Sequence, residues 1–138
     1  MMHGIKVYFA TLPVFLALDF FWLGFLMAKF YKTKLGSLSR GGSGSYETVW
    51  WAAAVVYICI PLGIVLFVVP RLAGSAVFPW SPIWGGLYGF VLYAVYDMTN
   101  YALVDKWPLR MSVVDICWGV FICGSVSVAA AYFDRLFQ

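Results

Sequence analysis

The sequence predicts an all-α integral membrane protein that folds as a four-helix bundle, and three observations lead to this class. Of its 138 residues, 64% are hydrophobic, 20% are aromatic and only 11% are charged, whereas ordinary soluble domains are roughly 25% charged. Four stretches are long enough to cross a bilayer, which takes about 20 apolar residues as a helix. The chain shows none of the roughly 10-residue alternating segments that are typical of membrane β-barrels.

The first predicted helix covers residues 5–30. Its apolar core, Val7–Ala28, is interrupted by Thr11, Pro13 and Asp19. This run is too long for the apolar region of a secretion signal, and no small-x-small cleavage site follows it, so we expect a retained helix. The segment after it, residues 33–45, ends in Gly41–Ser45 and is predicted to be a flexible Ser/Gly-rich loop.

The other three predicted helices cover residues 47–70, 80–104 and 110–135. The second has an uncharged apolar core in which Pro61 and Gly63 predict a kink. The third contains Asp97 and Asn100, and the fourth contains Asp115 near its start. Residues 1–138 therefore form one transmembrane domain, which leaves no room for a separate soluble catalytic unit.

The basic residues predict the orientation, because cytoplasmic loops of membrane proteins carry an excess of lysine and arginine. Six basic residues fall at the first and third connections and three at the other side. We therefore expect both termini on the non-cytoplasmic side of a bacterial inner membrane. The net charge of +3 then reflects this topology, and we expect no nucleic-acid partner. The six are Lys29, Lys32, Lys34, Arg40, Lys106 and Arg110, and the three are Lys6, Arg71 and Arg135.

Three aspartates lie within these apolar segments, and they are the first candidates for function. A carboxylate at membrane depth costs a few kcal/mol, so such residues usually face a bundle interior or water. Counting from the predicted helix ends, Asp97 and Asp115 should lie about 10 Å deep and Asp19 about 15 Å deep. All three belong to the cytoplasmic half in the predicted topology, where they can converge.

Helical periodicity assigns these acids to faces that should point inward. The third helix carries Tyr93, Asp97 and Asn100 in one stripe with two glycines. The fourth carries a face of small residues that permits close helix approach. The three predicted faces are Phe15, Asp19, Trp22 and Leu26; Gly86, Gly89, Tyr93, Asp97 and Asn100; and Asp115, Gly119, Cys123 and Ser127.

Several short motifs resemble those of a small bacterial membrane-protein family, the domain of unknown function 2177 family. They include Tyr96-Asp97-Met98-Thr99-Asn100, Trp107-Pro108-Leu109-Arg110 and Val114-Asp115-Ile116-Cys117-Trp118-Gly119. Leu18-Asp19-Phe20-Phe21-Trp22-Leu23-Gly24 and Phe30-Tyr31 resemble its N-terminal pattern. The resemblance extends over nearly the whole chain and implies a four-helix integral membrane protein, but it implies no reaction.

The acidic and cysteine side chains raise the question of metal binding or thiol chemistry. Asp19, Asp97, Asn100 and Asp115 offer oxygen ligands of the kind that Mg²⁺ and Ca²⁺ bind. The sequence lacks an Asp-Gly phosphotransferase motif and paired histidines, since His3 stands alone near the N-terminus. We therefore expect no metal and no cofactor. The three membrane-embedded cysteines are expected to be packing residues, and nucleophilic triads lack a histidine base at bundle depth.

Binding of a lipid or hydrophobic small molecule is the function that the sequence favours. Aromatic side chains in the cytoplasmic half could line an apolar pocket: Trp22, Trp50, Trp51, Tyr57, Tyr93, Tyr96 and Trp118. Lys106 and Arg110 at its mouth are candidates for contact with an anionic head group. The candidate ligand-binding or proton-relay residues are Asp19, Trp22, Tyr93, Asp97, Asn100, Asp115 and Trp118. Within this set we expect Asp97 and Asp115 at the centre, with Asp19 as the protonated acid.

Other functions stay open at this point. A proton-coupled carrier could use an intramembrane acid such as Asp19. A membrane-embedded enzyme of unspecified reaction and a structural subunit of a membrane complex are further alternatives, since intramembrane polar groups often only join helices. The partners expected are membrane lipids, a hydrophobic small molecule, and either a second copy of the chain or a membrane enzyme.

Overall fold

The computed structural model describes residues 2–40 and 47–138, and this part of the chain contains helices but no strand. Helix α1 runs from Met2 to Phe21 and continues as a π-helical segment, Trp22–Leu26. Helix α2 covers Ala28–Leu35 and is followed by a 3₁₀ turn, Gly36–Leu38. The predicted loop residues 41–45 lie outside the described residues.

The remaining helices form the larger part of the molecule. Helix α3 covers Trp50–Gly63 and continues through a π-helical segment, Ile64–Val68, into a 3₁₀ turn, Val69–Leu72. Helix α4 covers Trp80–Leu103 and helix α5 covers Leu109–Phe137.

Three helical segments in the described part of the chain are long and apolar enough to cross a membrane. They are Met2–Leu26, Trp50–Leu72 and Leu109–Phe137. Helix α4 is 24 residues long but is not one of these three, and it contains several tryptophans, tyrosines and glycines as well as Asp97. Its role as the fourth predicted span stays a prediction.

The helices give the molecule two ends. At the first, the terminal end, His3 Nε2 lies 2.7 Å from Asp134 Oδ1, and the Arg135 guanidinium donates to the Ser75 carbonyl at 2.5 Å. At the other, the paired-loop end, α2 packs beside the start of α5 through the contact of Tyr31 with Asp115. Both termini thus share one end, and which side of a membrane it faces stays a prediction.

Helices α4 and α5 form the tightest contact in the described chain, the α4–α5 seam. A Cβ on Gly89 would overlap with the Gly119 carbonyl, and one on Gly85 would overlap with the Ser127 side chain. Gly119, Cys123 and Ser127 are buried, as expected for the small face of α5. Small residues therefore bring these two backbones close together, as they do in membrane helix pairs.

Helix α3 packs differently along its two halves. Its π-helical continuation buries Ile64, Val65 and Val68 against α4 and α5. The Tyr88 hydroxyl donates to the Ile60 carbonyl at 3.5 Å. Before Ile60, α3 packs on α1 and makes little contact with α4. A gap therefore separates α3 from α4 in the half of the molecule nearer the paired-loop end.

The first predicted helix and loop need two corrections. The continuous helix 5–30 is broken at Met27, whose φ of −118° and ψ of 6° are not helical. The predicted loop begins too early, because residues 33–38 are helical and the Ser/Gly-rich composition begins only after Leu35. The wider π-helical turn also rotates the end of α1, so Leu26 is 59% exposed rather than on the inner face.

Candidate functional site

A cavity of about 540 Å³ occupies the gap between α3 and α4, with α1 and α5 at its back. Helix α3 contributes residues from Ala53 to Ile60, and α4 contributes Leu92, Tyr93 and Tyr96. Asp19, Tyr31, Asp115 and Trp118 complete the polar and aromatic part of the wall. The cavity therefore places two carboxyl groups and several phenols in otherwise apolar surroundings.

Asp19 forms the first acidic centre of the cavity. It lies in the last turn of α1, and its side chain is only 6% exposed. The Trp118 indole Nε1 donates to Asp19 Oδ1 at 3.2 Å, and the Tyr57 hydroxyl lies near the same carboxyl group. Donors from α5 and α3 thus hold an α1 acid against the cavity, which fixes its orientation.

Asp115 forms the second acidic centre through a hydrogen-bonded chain. The Tyr31 hydroxyl donates to Asp115 Oδ1 at 2.5 Å, and the Trp22 indole Nε1 donates to the Tyr31 oxygen at 3.3 Å. Burial, with the Asp115 carboxylate beside it, raises the pKa of the Tyr31 hydroxyl above its ordinary value. Tyr31 therefore keeps its proton and acts as a donor from outside the spanning segments.

The Trp22 and Trp118 rings join these two centres. Their centroids are 4.2 Å apart and their planes are inclined by 2°, so the indoles are stacked face to face. One indole belongs to the chain that ends on Asp115, and the other donates to Asp19. Trp22 is also the first residue of the π-helical segment, a feature often found at functional sites.

Asp97 lies behind the cavity wall and is fully buried. Neither of its carboxyl oxygens has a hydrogen-bond partner among the described residues, and the same is true of Asn100 Nδ2. The Asp115 carboxyl group and the Ser112 hydroxyl lie close to it. Buried polar groups are rarely left in this state, so Asp97 is the unusual member of the acidic set.

The structure divides the predicted site residues into two groups. Asp19, Tyr93, Asp115 and Trp118 line the cavity. Trp22, Asp97 and Asn100 lie outside its wall, although the first two are linked to wall residues by the contacts above. Lys106 and Arg110 are exposed and do not line it. Of the other aromatic candidates, Tyr57 and Tyr96 are in the wall, whereas Trp50 and Trp51 are about three-quarters exposed.

Tyr31 is the hydrogen-bonding site residue that was not among the sequence-based candidates; Cys59 and the aliphatic residues of the wall were not among them either. Tyr31 follows the break at Met27, so helical periodicity counted from Asp19 does not place it on the inner face. The pair Phe30-Tyr31 within the family-like N-terminal pattern was the available signal. Its contact with Asp115 joins residues 84 positions apart, which no local pattern indicates.

Metal-binding and thiol groupings are absent from the described part of the chain. No three His, Cys, Asp or Glu side chains there are arranged to hold a metal ion. Cys59, Cys117 and Cys123 are free thiols, of which only Cys123 is buried. Cys59 lies in the cavity wall.

Comparison with known proteins places the chain in a family. A search of curated proteins and a search of solved structures each gave no match. A family model described as "Predicted membrane protein (DUF2177)" matches residues 4–132, which is nearly the whole chain and includes every residue of the cavity wall. The chain therefore belongs to this family of membrane proteins, the family that its motifs resemble.

Proposed function

We propose that the protein binds a lipid or hydrophobic small molecule in the cavity between α3 and α4. The single observation that carries this proposal is a cavity of about 540 Å³ whose walls are mostly apolar and include two carboxyl groups, those of Asp19 and Asp115. Small-molecule sites in proteins are commonly about 300–1,000 Å³, mostly apolar, with a few polar groups that set orientation. The cavity has both properties.

Access to the cavity supports a ligand that comes from the membrane. The α3 side of the wall includes Val55 and Val56, which are 52% and 51% exposed, and the α4 side includes Tyr96 at 59%. The gap thus reaches the lateral surface of the helices, where lipid chains would lie. A molecule dissolved in the bilayer could enter without crossing the polar loops.

The proposal includes a placement in the membrane. Helix α4 packs along α5 and is proposed as the fourth span of a four-helix bundle. The basic residues of α2 and of the α4–α5 connection favour the paired-loop end as the cytoplasmic one. The cavity would then open in the cytoplasmic half of a bacterial inner membrane.

The test is to identify what the purified protein retains and to fill the cavity with a side chain. Ala53 lines the cavity, whereas the neighbouring Ala54 is exposed and does not. Mass spectrometry of the wild-type protein, extracted in mild detergent, should reveal a bound hydrophobic molecule. Ala53→Trp should lose it, and Ala54→Trp should keep it.

Two outcomes would contradict this proposal. A wild-type protein without any retained molecule, and without saturable uptake of lipid-soluble probes, would favour a structural subunit. Equal retention by Ala53→Trp and Ala54→Trp would place the ligand elsewhere on the surface. Melting temperatures of both variants distinguish a filled cavity from a failure to fold.

A proton-coupled carrier is the second candidate, and the Trp22–Tyr31–Asp115 chain favours it. The Tyr31 phenol on α2 donates to the Asp115 carboxyl group in the cavity wall, and intramembrane acids are typical members of the proton relays of pumps and transporters. Purified protein in liposomes should then take up substrate when a pH gradient is applied. Asp115→Asn, which removes the acid of this chain, and Asp19→Asn should each abolish this uptake, and gradient-independent uptake would contradict the carrier function.

A further inference from the structure

We infer that the ligand of the cavity carries a positive charge at its polar end, as a hydrophobic amine or quaternary ammonium compound does. This inference rests on the proposed function, and it names the chemical class of the molecule bound there. It differs from the sequence-based expectation of an anionic head group at Lys106 and Arg110.

The first step concerns the charges in the wall. The ionisable wall residues are Asp19, Asp115, Cys59 and the tyrosines, and no Lys, Arg or His lines the cavity in the described chain. An anionic head group would enter a site with no cation to neutralise it and with two acids to repel it. An ammonium group meets acceptors of opposite charge there.

The second step concerns the missing counter-ions of the buried acids. All nine lysines and arginines and His3 lie within the described residues. None of them lies within ion-pair distance of Asp19, Asp97 or Asp115; among the described residues the contact of this kind joins the His3 ring to Asp134, at the terminal end. Acids at membrane depth usually pair with other polar groups or face a cavity, so a cationic ligand would meet no competing Lys, Arg or His at these carboxyl groups.

The third step is the close approach of Asp97 to Asp115. The Asp97 oxygens are buried and accept no hydrogen bond of standard geometry among the described residues. The Asp115 carboxyl group lies beside them and also lines the cavity. Two adjacent carboxyl groups cannot both ionise without strong repulsion. A cation beside Asp115 would relieve this repulsion, which connects the buried Asp97 to an occupant of the cavity.

The fourth step is the aromatic lining. Tyr57, Tyr93, Tyr96 and Trp118 all contribute to the wall. Aromatic faces attract ammonium groups, and the attraction grows when water is excluded. Carboxylates and aromatic rings together form the kind of site that suits a lipophilic cation. The same rings present apolar surface to the rest of the ligand.

The experiment compares two probes of nearly equal shape and opposite charge, tetraphenylphosphonium and tetraphenylborate. The full-length protein in zwitterionic nanodiscs is dialysed against each probe, and binding to protein-free nanodiscs is subtracted. We expect saturable binding of the phosphonium cation only. Asp19→Asn and Asp115→Asn should each weaken it by about tenfold or more, as for loss of a charge-assisted contact.

Control variants keep the result interpretable. Asp105→Asn changes an exposed acid near the same end and should leave cation binding unchanged. Asp19→Glu keeps a carboxyl group at this position and should bind the cation with most of the wild-type affinity. This variant therefore separates the loss of the charge in Asp19→Asn from a failure of that variant to fold. Ala53→Trp should block the cation, because it fills the same space.

The outcomes separate this inference from the proposed function. Saturable binding of both probes with equal affinity, or tighter binding of tetraphenylborate, would overturn the inferred positive charge of the ligand. If Ala53→Trp abolished that binding, the cavity would still be the binding site, as the proposed function requires. Absence of saturable binding of either probe, together with a wild-type protein that retains no molecule, would overturn both.

Discussion

The two faces of α4 contrast sharply, and the contrast locates the cavity in which binding is proposed. Toward α5, Gly85 and Gly89 allow the backbones to touch. Toward α3, Leu92 and Tyr96 border an open gap of about 540 Å³. Tyr93 belongs to both sides, because its ring packs on Gly119 of α5 and also lines the gap. The same helix is thus sealed along one side and separated from its neighbour along the other.

Side-chain size accounts for the difference. Apolar side chains gain little from leaving lipid, so membrane helices associate where small residues permit close packing. The seam has such residues on both helices, whereas the gap is bordered by aromatic and branched side chains. This contrast predicts that substitutions in the seam mainly change the stability of the protein and that substitutions at the gap mainly change binding.

The largest effect is expected from a methyl group in the seam. Gly89→Ala places a Cβ on the Gly119 carbonyl, and overpacking of this kind costs about 3 kcal/mol when backbone must move. Gly86→Ala, on the same helix, would meet Val120 at an ordinary distance of 3.4 Å and should change little. Unfolding by sodium dodecyl sulfate in mixed micelles measures both. Equal stabilities would show that the seam is not tightly packed.

The next effect concerns access of a reagent to the gap. Thiol reactivity depends on exposure, so a thiol that borders an open cavity should react about an order of magnitude faster than one packed between two helices. Cys59 borders the cavity, Cys117 is exposed elsewhere on α5, and Cys123 is buried in the seam. A membrane-permeant maleimide followed by peptide mass spectrometry should label them in that order. Faster reaction of Cys123 than of Cys59 would reverse the comparison.

A moderate effect is expected where α2 meets the cavity. Tyr31→Phe removes the donor to Asp115 and the acceptor for Trp22, which should lower the free energy of unfolding by about 1 kcal/mol. The exposed Tyr101, for which the described structure shows no hydrogen bond, supplies the control Tyr101→Phe. Thermal unfolding in detergent measures the difference. Identical melting temperatures would mean that Tyr31 does not hold Asp115 in place.

The smallest effect should come from Ser127→Ala in the seam. Its hydroxyl is buried and has no partner among the described residues, so its removal should change stability by no more than about 0.5 kcal/mol. The neighbouring substitution Gly85→Ala would overlap with Ser127 and should cost much more. A large loss in Ser127→Ala would show that polar contacts, and not close packing, hold the seam.

Helical periodicity was enough to find much of this arrangement. The stripe from Gly86 to Asn100 lies on a regular α-helix, and Gly119, Cys123 and Ser127 follow the same period on α5. Regular spacing therefore indicated which residues face the seam and that Asp97 lies near Asp115. The apolar composition likewise indicated spanning helices, of which three are long and apolar enough to cross a membrane.

Irregular backbone explains which residues helical periodicity could not place. The π-helical segment after Phe21 changes the residue count per turn, so Leu26 points away from the expected face. The break at Met27 then starts a new helix. Helical periodicity counted from Asp19 therefore does not predict that Tyr31 contacts Asp115. The gap itself depends on the separation of α3 from α4, which is a property of packing among all the helices.

The stacked indoles of Trp22 and Trp118 give the protein an optical reporter at its centre. Two parallel chromophores 4.2 Å apart share their excited state, so their ultraviolet absorption and fluorescence depend steeply on small rotations of either ring. One ring is fixed by Asp19 and the other through Tyr31. Any molecule that draws either carboxyl group toward itself would therefore change the emission of the native protein, without an added label.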